Sequence, residues 1–85
     1  FDRAIADFSQ AIKLDGKIAL AYHNRGNALA RQRDYDKAIA DLDQAIKLDG
    51  NASRAFNDRG LAYGAKGELD RAIKDFDQAI TLDTK

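Results

Sequence analysis

The sequence predicts an all-α protein of about five helices, from its composition, an internal repeat and the periodicity inside each repeat. Ala occurs sixteen times among 85 residues, while β-branched side chains are limited to seven Ile and two Thr, with no Val. That alphabet favours helix over sheet. Sliding the sequence against itself gives one productive offset, 34 residues, at which 19–51 and 53–85 share fourteen of thirty-three positions. The same offset maps 1–18 onto 35–52 with twelve identities. The chain therefore reads as a single array: 1–18 is the second helix of a partial unit, and 19–52 and 53–85 are full units.

Each element follows from its own pattern. In 1–15 the apolar positions Ala4, Ile5, Phe8, Ala11 and Ile12 recur at i, i+1, i+4, i+7 and i+8, one helical stripe. The segment 19–32 places Tyr22, Gly26 and Leu29 on one face and breaks at Arg33-Asp34. In 36–48, Ala38, Ile39, Leu42, Ala45 and Ile46 repeat the stripe of the first helix. The next pair repeats the scheme, with its break at Gly67-Glu68 and with Ala72, Ile73, Phe76, Ala79 and Ile80 on the last helix. Gly67 suits a left-handed helix end. Arg33 in the same conformation would cost on the order of 1 kcal/mol. The second helices stop at Asp15-Gly16, Asp49-Gly50 and Asp83-Thr84, where Gly is expected to supply the cap.

A period of 34, a small Gly in the first helix and an Ala-x-x-x-Leu/aromatic-x-x-Ala pattern in the second resemble the tetratricopeptide repeat (TPR). The matching residues are Tyr22, Gly26 and Leu29 with Ala38, Leu42 and Ala45, then Phe56, Gly60 and Tyr63 with Ala72, Phe76 and Ala79. The resemblance implies an α-solenoid of antiparallel helix pairs in a right-handed superhelix, with first helices lining a concave face. The family's turn proline is absent; Gly16, Gly50 and Thr84 stand in its place. Arg25 and Arg59 are a second departure, because the family usually places an apolar residue there. A charge so close to the packing glycine needs a partner, and Asp41/Asp43 and Asp75/Asp77 are nearest by topology. A repeated structural clamp from Arg to Asp between helices is expected.

The resemblance also implies where a ligand would lie. First-helix positions Leu20, His23, Asn27, Ala30 and Arg31, then Arg54, Asn57, Leu61, Gly64 and Ala65, would line the groove. These differ between units while the packing positions Gly26/Gly60 and Ala38/Ala72 repeat. A constant scaffold with a variable surface fits binding of a peptide or helix segment, with amides for backbone groups and Arg31, Arg54 and His23 for acids. One branch of the family grips acidic chaperone tails with Lys and Asn on one first helix and Asn, Lys and Arg on later ones. Here His23 and Asn27 imitate the first pair, Asp58 stands where Asn is wanted, and the third unit is missing, so that ligand is not expected.

The alternative is a self-assembling structural array. Phe1, Ile5, Phe8 and Ile12 at one end, and Ile73, Phe76 and Ile80 at the other, would lack cover, and burying each large apolar side chain is worth roughly 1.5–3 kcal/mol. Homo-oligomers by end stacking or helix exchange are the expectation. Other classes fall away. Fourteen basic and fourteen acidic residues balance, leaving no electrostatic case for nucleic acid or an acidic membrane. One His, two Ser, two Thr and no Cys make no nucleophilic triad or thiolate zinc site, and Asp41 and Asp43 point to different helical faces, so no enzyme, metal or cofactor is expected. Gly60-x-x-x-Gly64 is flanked by charge, unlike a membrane helix contact, and Gly60 to Gly67 lacks the Gly-Lys-Ser/Thr ending of a phosphate loop. Asn51-Ala52-Ser53 matches a glycosylation sequon. The absent initiator Met suggests a piece of a longer protein.

Overall fold

The computed structural model describes residues 2–16, 18–50 and 52–83. They form α1 (Asp2–Leu14), α2 (Ala19–Arg31), α3 (Tyr35–Leu48), α4 (Ser53–Ala65) and α5 (Leu69–Asp83), an all-α solenoid in which each helix packs on its chain neighbours. The Cα extents are 32 × 28 × 14 Å, a slab scarcely thicker than one helix with its side chains. Burial is consequently concentrated between helices. Leu42 is fully buried with Ala45 and Ala55, and Tyr22 and Ile46 close around them. Phe1 and Thr84 lie outside the described residues, as does Asn51 of the sequon.

The α2/α3 and α4/α5 pairs are the intimate ones because glycine lets them cross closely. A Cβ on Gly26 would stand 3.0 Å from Leu42 Cγ and 3.2 Å from the Ala38 carbonyl oxygen. On Gly60 it would stand 2.8 and 2.9 Å from the Phe76 ring and 3.2 Å from the Ala72 carbonyl oxygen. The α1/α2 and α3/α4 contacts are thinner.

The turns inside the two full units share one geometry. Arg33 has φ 65° and Gly67 φ 84°. In each, the next N–H reaches five residues back, Asp34 to the Leu29 carbonyl and Glu68 to the Tyr63 carbonyl, both at 2.9 Å. Arg33 and Gly67 donate to Ala30 and Gly64, completing the Schellman pattern. The Asp34 side chain also accepts from the Lys37 N–H, capping α3.

The junctions between units differ from expectation. Arg33 and Gly67 are the only described residues with positive φ, so Gly16 and Gly50 do not supply left-handed caps. α3 instead ends by becoming extended at Asp49 (φ −143°, ψ 92°), and the Ala52 N–H bonds back to the Asp49 carbonyl at 3.2 Å. No helix among the described residues is long and apolar enough to cross a membrane.

Candidate functional site

Two arginines hold the scaffold behind the groove. Arg25 of α2 donates Nε and Nη2 to the two oxygens of Asp41 at 2.6 and 2.7 Å, and Nη1 to Ser9 Oγ of α1 at 3.2 Å. Arg59 of α4 repeats the fork on Asp75 at 2.8 and 2.7 Å, and its Nη1 reaches Asp43 of α3 at 2.7 Å. Each guanidinium thus ties the second helix of its own unit to that of the unit before. Asp41 and Asp75 are buried, where a carboxylate is tolerated only when paired. The hydrogen bond to Asp41 raises the Arg25 pKa above its ordinary value, and the bond to Asp75, reinforced by Asp43, does so for Arg59. The preceding aromatic positions the cation. Arg25 lies 5.8 Å from the Tyr22 centroid, and Arg59 lies 5.4 and 5.9 Å from Phe56 and Tyr63. With their donors so engaged, these two residues belong to the frame.

Helices α2 and α4 lie side by side and carry the variable positions. Across them, His23 Nε2 and Asp58 Oδ2 stand 2.6 Å apart. Burial would raise the Asp58 pKa, but hydrogen bonds with His23 and Asn27 and the charges of His23 and Arg54 outweigh it and hold the carboxyl below its ordinary 3.8. An ionised acid therefore sits in the middle of the α2/α4 surface.

The sequence-predicted residues fall into three depressions. Asn27, Arg31 and Leu61 line a cavity of about 390 Å³ with Ala30, Tyr35 and Asp58. Leu20 and His23 border a smaller one of about 110 Å³ against Ala52 and Ala55. Arg54 and Asn57 instead meet Phe76 and Ile80 in a wider cleft of about 710 Å³ between α4 and α5. Leu20 and Leu61 stay 63% and 58% exposed, apolar surface within a polar setting. Tyr35 went unnoticed in the sequence because it opens α3, outside the first helices. Asp58 was visible only as a departure from an amide, and its pairing with His23 depends on how the two helices are offset.

Comparison with known proteins agrees with this architecture. The family model described as tetratricopeptide repeat matches residues 1–51 and 23–85. No curated protein matches the sequence. Among solved structures, the second TPR domain of Spaghetti (RPAP3), bound to the HSP90 peptide SRMEEVD, is 40% identical with a TM-score of 0.93, over 95% of this chain and 75% of that one. The TPR2B domain of yeast Sti1 in its pHsp70 complex is 34% identical with a TM-score of 0.91, over 93% of this chain and 63% of that one. MamA is 32% identical with a TM-score of 0.90, over 94% of this chain and 47% of that one. With its 34-residue period, five-helix solenoid and a matching family model along its length, the chain belongs to the tetratricopeptide-repeat family.

Proposed function

We infer that this chain is a non-catalytic protein-interaction module that takes an extended segment of another protein along the α2/α4 face. The observation behind this reading is the contrast between frame and face. Positions that pack recur at the 34-residue period, whereas the face pairs Leu20 with Arg54, His23 with Asn57, Asn27 with Leu61 and Arg31 with Ala65. Exposed Leu20 and Leu61 offer apolar contact, and the side-chain amide of Asn27 can bond the backbone of an extended segment. The HSP90 peptide on the Spaghetti domain and the pHsp70 complex of the Sti1 domain support a peptide as the class of ligand.

Asp58 narrows the class. A ligand carboxylate placed over it would face a like charge, whereas an N–H donor or a cation would meet an acceptor. Arg31, further along the same cavity, suits an acidic side chain some residues away.

Selection from a phage-displayed random peptide library, followed by calorimetry on the enriched sequences, tests the proposal. Binders should weaken about five- to tenfold with Asn27→Ala and with Arg31→Ala, the cost of one charged or amide hydrogen bond. Absence of enrichment, or enriched peptides indifferent to both substitutions, would refute it.

A further inference from the structure

Helix α5 is a near copy of α1. Over residues 2–14 and 70–82, ten of thirteen positions are identical, and the differences are Ala6/Lys74, Ser9/Asp77 and Lys13/Thr81. Their surroundings are not alike. Ile5, Ser9 and Ile12 are half-buried where α1 packs on α2. The equivalent Ile73 and Ile80 are 56% and 62% exposed, and Asp77 is exposed beside them. So α5 carries, uncovered, the apolar face with which α1 holds α2.

The one difference on that face favours α5. Within the chain, the Arg59 Nη1 donor meets Asp43 at 2.7 Å, while the matching donor of Arg25 meets the Ser9 hydroxyl at 3.2 Å. Asp77 occupies the position equivalent to both Asp43 and Ser9. A carboxylate accepting from a guanidinium makes a shorter and stronger bond than a hydroxyl does.

We propose that α5 of one molecule displaces α1 from α2 of a second copy, with Asp77 taking the Arg25 donor that Ser9 held. Ile73, Phe76 and Ile80 then replace Ile5, Phe8 and Ile12 side chain for side chain, and the repeat continues without interruption from one copy into the next. The contact is heterologous, so the second copy still offers its own α5 and association is open-ended. Because the apolar contacts exchanged are the same, the balance lies between the tether holding α1 and the better bond from Asp77. A short tether gives α1 an effective concentration on the order of 1 mM. A carboxylate in place of the hydroxyl as the guanidinium's partner is worth about two- to fivefold at such a half-exposed site. Exchange should then become appreciable at roughly 200–500 µM.

Sedimentation equilibrium from about 5 µM to 1 mM on the full 85-residue chain, paired with hydrogen exchange, tests this. The average mass should rise continuously, and amides of residues 2–14 should lose protection as it does. Ser9→Asp, which gives α1 the same carboxylate, and Asp77→Ser, which removes it from α5, should each weaken association about two- to fivefold. The two change net charge in opposite directions, so a general charge effect cannot produce both results. Circular dichroism establishes that each variant is folded. A monomer throughout the range, an oligomer indifferent to both substitutions, or one in which residues 2–14 stay protected would overturn the proposal.

Discussion

Replacing Arg59 by Met should be among the most damaging single changes outside the apolar core. Methionine keeps much of the aliphatic stem but removes the guanidinium that lies near Phe56 and Tyr63, and with it all donors to Asp75 and Asp43. Asp75 has a side chain only 7% exposed, and a carboxylate stranded there costs about 3–5 kcal/mol. Asp43, with a side chain 43% exposed, loses a bond worth about 0.2–1 kcal/mol because water can replace it. The total is large beside the roughly 4–13 kcal/mol expected for a domain of 85 residues. The chain has no Trp, so urea unfolding is followed by helical circular dichroism. The midpoint should fall by roughly 1.5–4 M. Pairing the change with Asp75→Leu removes the stranded charge and should recover most of the loss, since an apolar pair can replace a buried ion pair at little net cost. Arg25→Met should cost less by about the Asp43 contribution, because Ser9 is neutral. A loss below about 1 kcal/mol for Arg59→Met, or no recovery in the double variant, would refute the assigned role.

Further outcomes can be read from the same unfolding curves or by titration. Arg33→Gly should stabilise by about 1 kcal/mol, since φ 65° strains any residue with a Cβ, and Gly67→Ala at φ 84° should destabilise by a similar amount. Gly50→Ala should stabilise by about 0.4–1 kcal/mol, because its φ is not positive and an added Cβ meets nothing nearer than the Ile46 carbonyl oxygen at 4.0 Å. The Asp58 carboxyl should titrate below 3.8 in a carbon-detected NMR experiment. Its depressed folded pKa means that its contribution is complete above the unfolded value and lost as pH falls through the folded one, so Asp58→Asn should flatten the stability profile below about pH 4. The same substitution should improve binding of the peptide SRMEEVD at least tenfold by removing the like charge, and unchanged affinity would contradict the role given to Asp58.

The architecture was legible because it is periodic. One offset located the units, apolar spacing located the second helices, and glycines at equivalent positions marked the close crossings at Gly26 and Gly60. The Arg to Asp forks could be anticipated because a charge placed beside a packing glycine must be paired locally. Asp43 reaching across to the following unit could not, because the path from α3 to Arg59 depends on how units stack. The capping assigned to Gly16 and Gly50 failed for a related reason. Glycine permits a left-handed residue without requiring one, and only the fold decides where such a residue falls. The groove was the least legible part. Topology groups Arg54 and Asn57 with His23 and Asn27, yet they open on the α4/α5 cleft, and the pairing of Asp58 with His23 depends on how α2 and α4 are offset.

The proposal that the α2/α4 face receives a protein segment is tested most directly by amide chemical-shift mapping during titration with a library-selected peptide. Shifts should concentrate at Leu20, His23, Asn27, Arg31, Asp58 and Leu61 and diminish in Asn27→Ala. Shifts confined to α3 or to the outer face of α5, with those six residues unmoved, would contradict it.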